Sequence, residues 1–397
     1  MTTPQPVAVV GGGIGGLSVA LALGRVGAHT TVYEQSPQFE ELGAGIGLGP
    51  NAVRRLDAWG LGQSLREIAC VPDALLVRDA EDGRVLGRLP MADAFVSRHG
   101  AQYLTVHRAD LHQLLLKSLQ QQGTAALKLN HGLSALTQAP TGVQLTFDNG
   151  EQVDSVQALI GADGLHSRVR GVVCGEQAPV PSGHWAYRTL LPMQAVPLAW
   201  RQSQMGMWLG SGLHVVHYPV RGGESLNLVV LVEAKDDATT AGWDVARTAA
   251  QTDEDLQAAT HACCPALQAL LEASAHWRAW CLFDRPPVPS AAHLVRGSVA
   301  LAGDAAHPML PYLAQGAGMA IEDADCLAHQ WQIPHASTAQ RLQMYAQARW
   351  QRVAKVQQRA RRNGRIFHAD GGWRMARNLA MALGGAKLMD MPWLYGA

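Results

Sequence analysis

The chain has 397 residues, enough for two or three domains at about 150 residues each and for a sizeable core without disulfide staples. Lys+Arg and Asp+Glu are both 32, so the formal charge of zero excludes a polyanion binder driven by bulk charge, and no nucleic-acid partner is expected. With 48% hydrophobic and 16% charged residues, extensive disorder is excluded too.

Met1–Pro6 carries no Lys or Arg, so the basic start of a secretory signal is missing. The apolar run that follows is broken by glycines and makes a poor membrane helix; a cytoplasmic protein with no membrane partner is expected. Val7–Val10 reads as a buried strand, Gly11–Gly16 as a turn, and Leu17–Val26 as a helix stopped by Gly27. Thr30–Tyr33 is a second strand, followed at once by Glu34. Val143–Phe147, the turn Asp148-Asn149-Gly150 and Val153–Ile160 read as a hairpin and a strand leading into Gly161. Tyr187–Leu191, Met205–Leu209, Leu213–Tyr218 and Leu226–Val232 are short strands between turns, an antiparallel sheet inserted into an α/β chain. Asp253–Leu271 reads as one helix, Ser298–Leu301 as a buried strand, and Gly316–Ala328 as the start of another helix. From Thr338 to His368 there are eight Lys/Arg and no acid, with Leu342, Tyr345, Val353, Val356 and Ala360 at helical spacing. An amphipathic helix with a solvated basic face is expected there rather than one that steers an anion.

Six cysteines without a CxxC, Cys263 and Cys264 adjacent and the others alone, read as reduced thiols. His214 and His217 form an HxxH, but on a strand they face opposite ways, and no metal centre is expected.

The first chemical motif is Gly11-x-Gly13-x-x-Gly16, with Gly15 in the same turn. Gly11 permits the turn, Gly13 lets backbone approach a pyrophosphate, and Gly16 lets helix and strand pack closely. The helix N-terminus offers free N–H groups to phosphates. Glu34 suits a ribose with free hydroxyls, so the nucleotide is FAD or NAD. Two further motifs follow: Gly161-Ala162-Asp163-Gly164-Leu165-His166-Ser167-Arg168-Val169-Arg170, and Gly303-Asp304-Ala305-Ala306-His307-Pro308 with its continuation to Gly316-Ala317-Gly318.

With these three motifs in this order, the chain resembles the single-component FAD-dependent aromatic hydroxylases, the p-hydroxybenzoate hydroxylase fold family. The resemblance runs from Val7 to about Ile366 and is greatest toward the salicylate, 3-hydroxybenzoate and 6-hydroxynicotinate hydroxylases. It implies an α/β fold with a Rossmann-like FAD-binding domain (1–180 and 282–335), an inserted antiparallel-sheet substrate domain (181–281) and a C-terminal helical segment (336–397). It also implies FAD as cofactor, NADH or NADPH as co-substrate, O2, a small aromatic substrate and a homodimer. The reaction implied is hydroxylation of a hydroxylated aromatic or pyridine carboxylate through a flavin C4a-hydroperoxide.

Residue by residue, the resemblance sets Asp304 at the ribitol and Asp163 near the pyrophosphate, with help from Arg168 and Arg170. Arg108 goes to the phosphate region, and Gly43-Ala44-Gly45-Ile46-Gly47 crosses the flavin side. Leu129 offers a backbone contact near the adenine. Ala317 and Gly318 are small enough for backbone to touch the ring, and the helix N-terminus there favours an anionic reduced flavin.

A phenol near pKa 10 needs a base or a strong hydrogen-bond partner. Strand alternation sets His214, Val216 and Tyr218 on one face, so His214 and Tyr218 are the catalytic candidates, with His307 as a third near the reactive edge. Arg188 is a candidate partner for a substrate carboxylate, with a flavin-side or structural role as the equal alternative. Gly47 stands where hydroxynicotinate hydroxylases tend to carry His, and Pro311 where 3-hydroxybenzoate 6-hydroxylases tend to carry Gln. The competing readings are a halogenase, disfavoured because no WxWxI segment occurs, and a flavoprotein oxidase or redox regulator that does not hydroxylate.

Overall fold

The computed structural model describes residues 6–39, 44–139, 142–234, 248–274 and 276–396. Its first sheet has six strands in the order Val295–Arg296, Val299–Leu301, Ala158–Gly161, Val7–Val10, Thr30–Tyr33, Ala125–Lys128. Val7–Val10 pairs in parallel with Ala158–Gly161 on one side and Thr30–Tyr33 on the other. Buried on both faces, it needs an uninterrupted apolar run, and all four of its residues are buried. Helix Ile14–Arg25 packs behind it as the crossover.

The second sheet has seven strands: Arg278–Asp284, Val180–Pro192, Ser225–Glu233, Leu213–Val220, Gln204–Leu209, Ala74–Asp79 and Val85–Pro90. One of its faces packs Trp185, Tyr187, Trp208 and Val215 against Leu256, Leu267 and Leu270. The other face looks toward the first sheet. Two expected boundaries change here. The hairpin Ala74–Pro90 comes from the segment assigned to the FAD-binding domain, yet it extends the substrate sheet, with Leu75 paired in parallel to Met205. Arg278–Asp284 runs through the expected boundary at 281, because Trp280 and Leu282 continue the ladder with Val180–Pro192. The expected single helix over 253–271 is two helices, Ala249–Thr260 and Pro265–Glu272. Pro265 lacks an N–H and starts the second one, as proline favours at a first helical position.

A small sheet of Gly45–Leu48, Leu104–His107 and Ala69–Cys70 joins the two units. The Gly45 N–H donates to Asn227 Oδ1 at 2.7 Å, and Thr105 Oγ1 donates to the Pro219 carbonyl at 2.6 Å. Gly43 lies outside the described residues.

Helix Thr338–Phe367 starts at a capping box between Ser337 and Gln340. Leu342, Tyr345, Val353, Val356 and Ala360 are buried, as its period predicts. Its basic residues are not simply a solvated face. Arg349 is buried and donates to Asp323 Oδ1 at 2.7 Å and Glu322 Oε2 at 2.6 Å, and Arg352 clasps the same Glu322. Burial alone raises the Glu322 carboxyl, but the Arg352 hydrogen bonds and the charges of Arg349, Arg352 and Arg55 prevail and hold it at about 2. Its folded value is depressed, so its stabilisation is present above its ordinary range and lost as pH falls toward 2. Arg349→Met should leave buried Asp323 without its guanidinium and Glu322 with Arg352 as its hydrogen-bonded arginine partner, and destabilise the protein by about 3–5 kcal/mol. A shift of the urea midpoint worth less than about 1 kcal/mol would show the cluster to be dispensable.

After this helix, Gly371–Gly384 folds back on the hairpin edge, where Arg374 and Asn378 bind the buried Asp79 carboxylate. No helix among the described residues is long and apolar enough to cross a membrane.

Candidate active site

Between the sheets lies a cavity of about 660 Å³. It is lined by Gly11, Gly13, Gly15, Glu34, Gly45, Gly47, Arg108, Asp163, Asp304 and Ala317, and by His214 and Tyr218. Residues from three motifs far apart in sequence thus share one wall, because strands Val7–Val10, Ala158–Gly161 and Val299–Leu301 are neighbours and end on the same side.

The nucleotide end is built by close backbone approaches. Gly11 has φ +109°, and a Cβ there would sit 2.3 Å from the Ala162 carbonyl oxygen. Gly16 does not line the cavity; a Cβ on it would meet the Gly11 carbonyl oxygen at 1.8 Å, so it shapes the turn from behind. Glu34 accepts the Gly12 N–H at 2.7 Å through one oxygen and the Ser36 N–H at 2.9 Å through the other. Each carboxylate oxygen keeps a second acceptor site for a hydroxyl.

Asp163 spends its carboxylate locally, accepting from Ser167 Oγ and from the N–H groups of Arg168 and Val169. It takes the first two N–H groups of helix Arg168–Cys174, whose N-cap is Ser167. Arg170 is buried and holds the carbonyls of Ala305 and Ala306, tying this helix to the Asp304 loop instead of reaching the cavity. Leu129 is not in the lining; its carbonyl accepts from Nδ1 of His131, which does line the cavity. Helix Gly316–Trp331 aims its N-terminus at the cavity, with Gln315, Gly316 and Ala317 at the wall. Gly318 stands one layer back, against Gln315 and Asn51.

At the substrate end, pleating turns His214, Val216 and Tyr218 inward, with Met205 and Met207 beside them. His217 points the other way, toward Trp200, and burial followed by Arg78 lowers it to about 4. His214 is held by a 2.7 Å hydrogen bond between its Nδ1 and Nε2 of His368. Burial first, and then His368 and His184, push the His214 imidazolium well down, so the ring is a neutral base. Burial raises the Tyr218 hydroxyl, with Tyr103 adding to it and Arg188 opposing, so Tyr218 is a donor at neutral pH.

His307 corrects the sequence expectation. It is 1% exposed, is absent from the lining, and has its Nε2 2.5 Å from Asp323 Oδ2. Asp323 also accepts the Gly303 N–H, so His307 braces the loop that carries Asp304.

Arg188 is half-buried at the cavity wall, with its guanidinium 5.3 Å from the Trp280 ring; removal from water, joined by Arg108 and opposed by Tyr218, lowers its pKa. No carboxylate forms an ion pair with it among the described residues.

Sequence reasoning missed Tyr103, His131, Met389, Met391 and Tyr395 in the lining. Tyr103 explains Gly47: a Cβ at position 47 would lie 2.2 Å from the Tyr103 hydroxyl, so the tyrosine fills the space a side chain there would need.

The residues fit a flavin dinucleotide: a cradle that any Cβ at Gly11 would fill, an acid for ribose, an acid at the loop of Asp304, and a helix N-terminus at the ring end. The comparisons agree. The FAD binding domain family model matches residues 5–360. The 3-hydroxybenzoate 6-hydroxylase of Polaromonas naphthalenivorans is 37% identical over 98% of this chain and 96% of its own. The 6-hydroxynicotinate 3-monooxygenase of Bordetella bronchiseptica is 34% identical over 88% of this chain and 89% of its own. An HpxO structure from Klebsiella pneumoniae with FAD bound superposes with a TM-score of 0.86 at 25% identity, covering 98% of each chain.

Proposed function

Since this chain belongs to the FAD binding domain family and is a flavin-dependent aromatic monooxygenase, we propose that its substrate is a hydroxylated aromatic or pyridine carboxylate. The single observation that carries the substrate class is Arg188. A half-buried guanidinium largely removed from water and without a carboxylate partner is costly, and a bound substrate carboxylate offsets that cost. The aromatic ring then lies against Met205, Met207 and Val216. FAD, when bound, supplies the redox chemistry and the activation of oxygen.

The protein's own residues do the rest. His214 accepts the phenolic proton at Nε2, because Nδ1 is engaged by His368. Tyr218 donates to the ring oxygen. The N-terminus of helix Gly316–Trp331 stabilises negative charge on the flavin ring. Asp304, Glu34, Arg108 and the Gly11–Gly15 backbone hold the dinucleotide, with the Gly16 and Gly318 turns supporting from behind. NADH or NADPH is the reductant. A homodimer belongs to the same proposal, supported by the exposed apolar face of Trp373, Leu379 and Leu383. A cytoplasmic home is supported by six free cysteines.

Arg188→Met tests the substrate class. The variant should keep its flavin and raise KM for 3-hydroxybenzoate by roughly a hundredfold or more, the worth of a buried ion pair. The KM for 3-hydroxybenzamide, which lacks the charge, should change little. Equal losses for both compounds would remove the carboxylate assignment.

A further inference from the structure

We propose that His368 and Glu233 form, with His214, a proton relay that carries the substrate's phenolic proton from the buried cavity to solvent. The proposal deepens the hydroxylase reading above and rests on His214 meeting the substrate hydroxyl.

The three groups follow one another from the cavity to the surface, through one hydrogen bond and one ion-pair contact. His214 Nδ1 lies 2.7 Å from His368 Nε2, and His368 Nδ1 lies 3.4 Å from Glu233 Oε1. The His368 side chain is fully buried, whereas that of Glu233 is 52% exposed. The chain of groups therefore has one end in the cavity and the other in water. Three separate elements meet to make it. His214 comes from strand Leu213–Val220, Glu233 ends strand Ser225–Glu233, and His368 caps helix Thr338–Phe367. His368 is fixed there by its own carbonyl, which accepts the Gly212 N–H at 3.1 Å. A histidine at a helix C-terminus also has its cationic form favoured by the carbonyls there.

One tautomer pattern gives every contact in the chain a donor facing an acceptor. Glu233 is ionised and faces His368 Nδ1–H across the 3.4 Å contact; His368 Nε2 accepts from His214 Nδ1–H; His214 Nε2 is left for the substrate hydroxyl. The proton balance is simple. The phenol O–H breaks and a proton goes to His214 Nε2. His214 passes its Nδ1 proton to His368 Nε2, and His368 passes its Nδ1 proton to Glu233, which exchanges with water. One proton enters the chain, one leaves, and no oxidant or reductant takes part.

The surroundings favour transit over storage. His184, the cross-strand neighbour of Glu233, lies 3.8 Å from its carboxylate. The imidazoles of His184 and then His368 hold Glu233 at about 2, so it stays ionised and hands a proton on to water rather than keeping it. Tyr312 packs on His184, His214 and His368; Arg377 adds positive charge near His368, and Asp284 adds negative charge near His184 and Tyr312. Burial, joined by His184 and Arg377 and opposed by Glu233, lowers His368. A proton arriving at either histidine is therefore not retained.

Both relay residues act through His214 and are positioning residues, so the test must read the proton itself. The FAD-loaded enzyme is mixed with 3-hydroxy-4-nitrobenzoate, whose phenolate absorbs differently from its phenol, and proton release is followed with an indicator dye. In His368→Asn and Glu233→Gln the release should slow at least about tenfold, and the apparent pKa of the bound probe should rise by about one unit, the equivalent of that tenfold factor. Glu233→Asp should restore much of both. Binding of 4-nitrobenzoate, which has no hydroxyl, should be unchanged. The surface position of Glu233 keeps the test open if His368→Asn folds poorly. Release and ionisation like those of the unaltered enzyme in Glu233→Gln and His368→Asn would overturn the relay. So would a probe that binds the unaltered enzyme and never ionises. The hydroxylase reading fails separately, in the unaltered enzyme, when no hydroxybenzoate stimulates NADH or NADPH oxidation.

Discussion

Gly16→Ala should give a chain that purifies without yellow colour. The added Cβ would fall 1.8 Å from the Gly11 carbonyl oxygen, a distance that no rotamer change can relieve because both partners are backbone. The turn must open, and opening it moves Gly13 and the N-terminus of helix Ile14–Arg25, where phosphate would bind. It also disturbs Glu34, whose carboxylate is anchored to the Gly12 N–H at 2.7 Å. We expect FAD affinity to fall by roughly a hundredfold or more, about 3 kcal/mol. Flavin absorbance per chain and a fluorescence titration of the apoprotein measure it. Gly372→Ala, at a position with nothing within 4 Å, is the matched control and should stay yellow. A fully flavinated Gly16→Ala protein would show that the turn does not hold the cofactor.

His214→Asn should keep its flavin and lose turnover. The asparagine amide can stand in for Nδ1 toward His368, but nothing replaces Nε2 in the cavity. Removing a positioned general base costs about 10²–10⁴ in rate. The loss should appear in hydroxylated product per flavin. It should also remove the pH dependence that comes from substrate ionisation. His214 is neutral in the free protein, because burial, His368 and His184 all oppose its charge. Activity should therefore hold through the ordinary histidine range and fall only at lower pH, where His214 gains a proton and can no longer accept one. Turnover in His214→Asn within about twofold of the unaltered enzyme would assign the base elsewhere, with Tyr218 the next candidate.

What the sequence made legible was local. Gly11, Gly13 and Glu34 fall within one βαβ unit, and strand alternation separates His214 from His217 without any tertiary knowledge. The remainder depended on long-range packing. His368 lies 154 residues from His214, and its role at the C-cap of a long helix has no local signature. Tyr103 and Tyr395 reach the cavity from a loop and from the last turn of the chain, with no motif around either. His307 misled because its neighbours belong to a cofactor motif, while the deciding partner, Asp323, sits on the following helix. The basic face of helix Thr338–Phe367 misled similarly: its acids are supplied by Glu322 and Asp323, which no charge count along that helix can reveal. The hairpin Ala74–Pro90 joined the distant sheet because its parallel partner, Gln204–Leu209, lies more than a hundred residues away.

The most direct test of the whole account is NADH and NADPH oxidation by the FAD-loaded protein with salicylate, 3- and 4-hydroxybenzoate, 6-hydroxynicotinate and non-carboxylated phenols, with peroxide and hydroxylated product quantified together. The account predicts that at least one hydroxylated aromatic carboxylate stimulates oxidation and yields product in proportion to reductant consumed, while the phenols do not. Oxidation that no aromatic compound stimulates would contradict it, leaving a flavoprotein that does not hydroxylate.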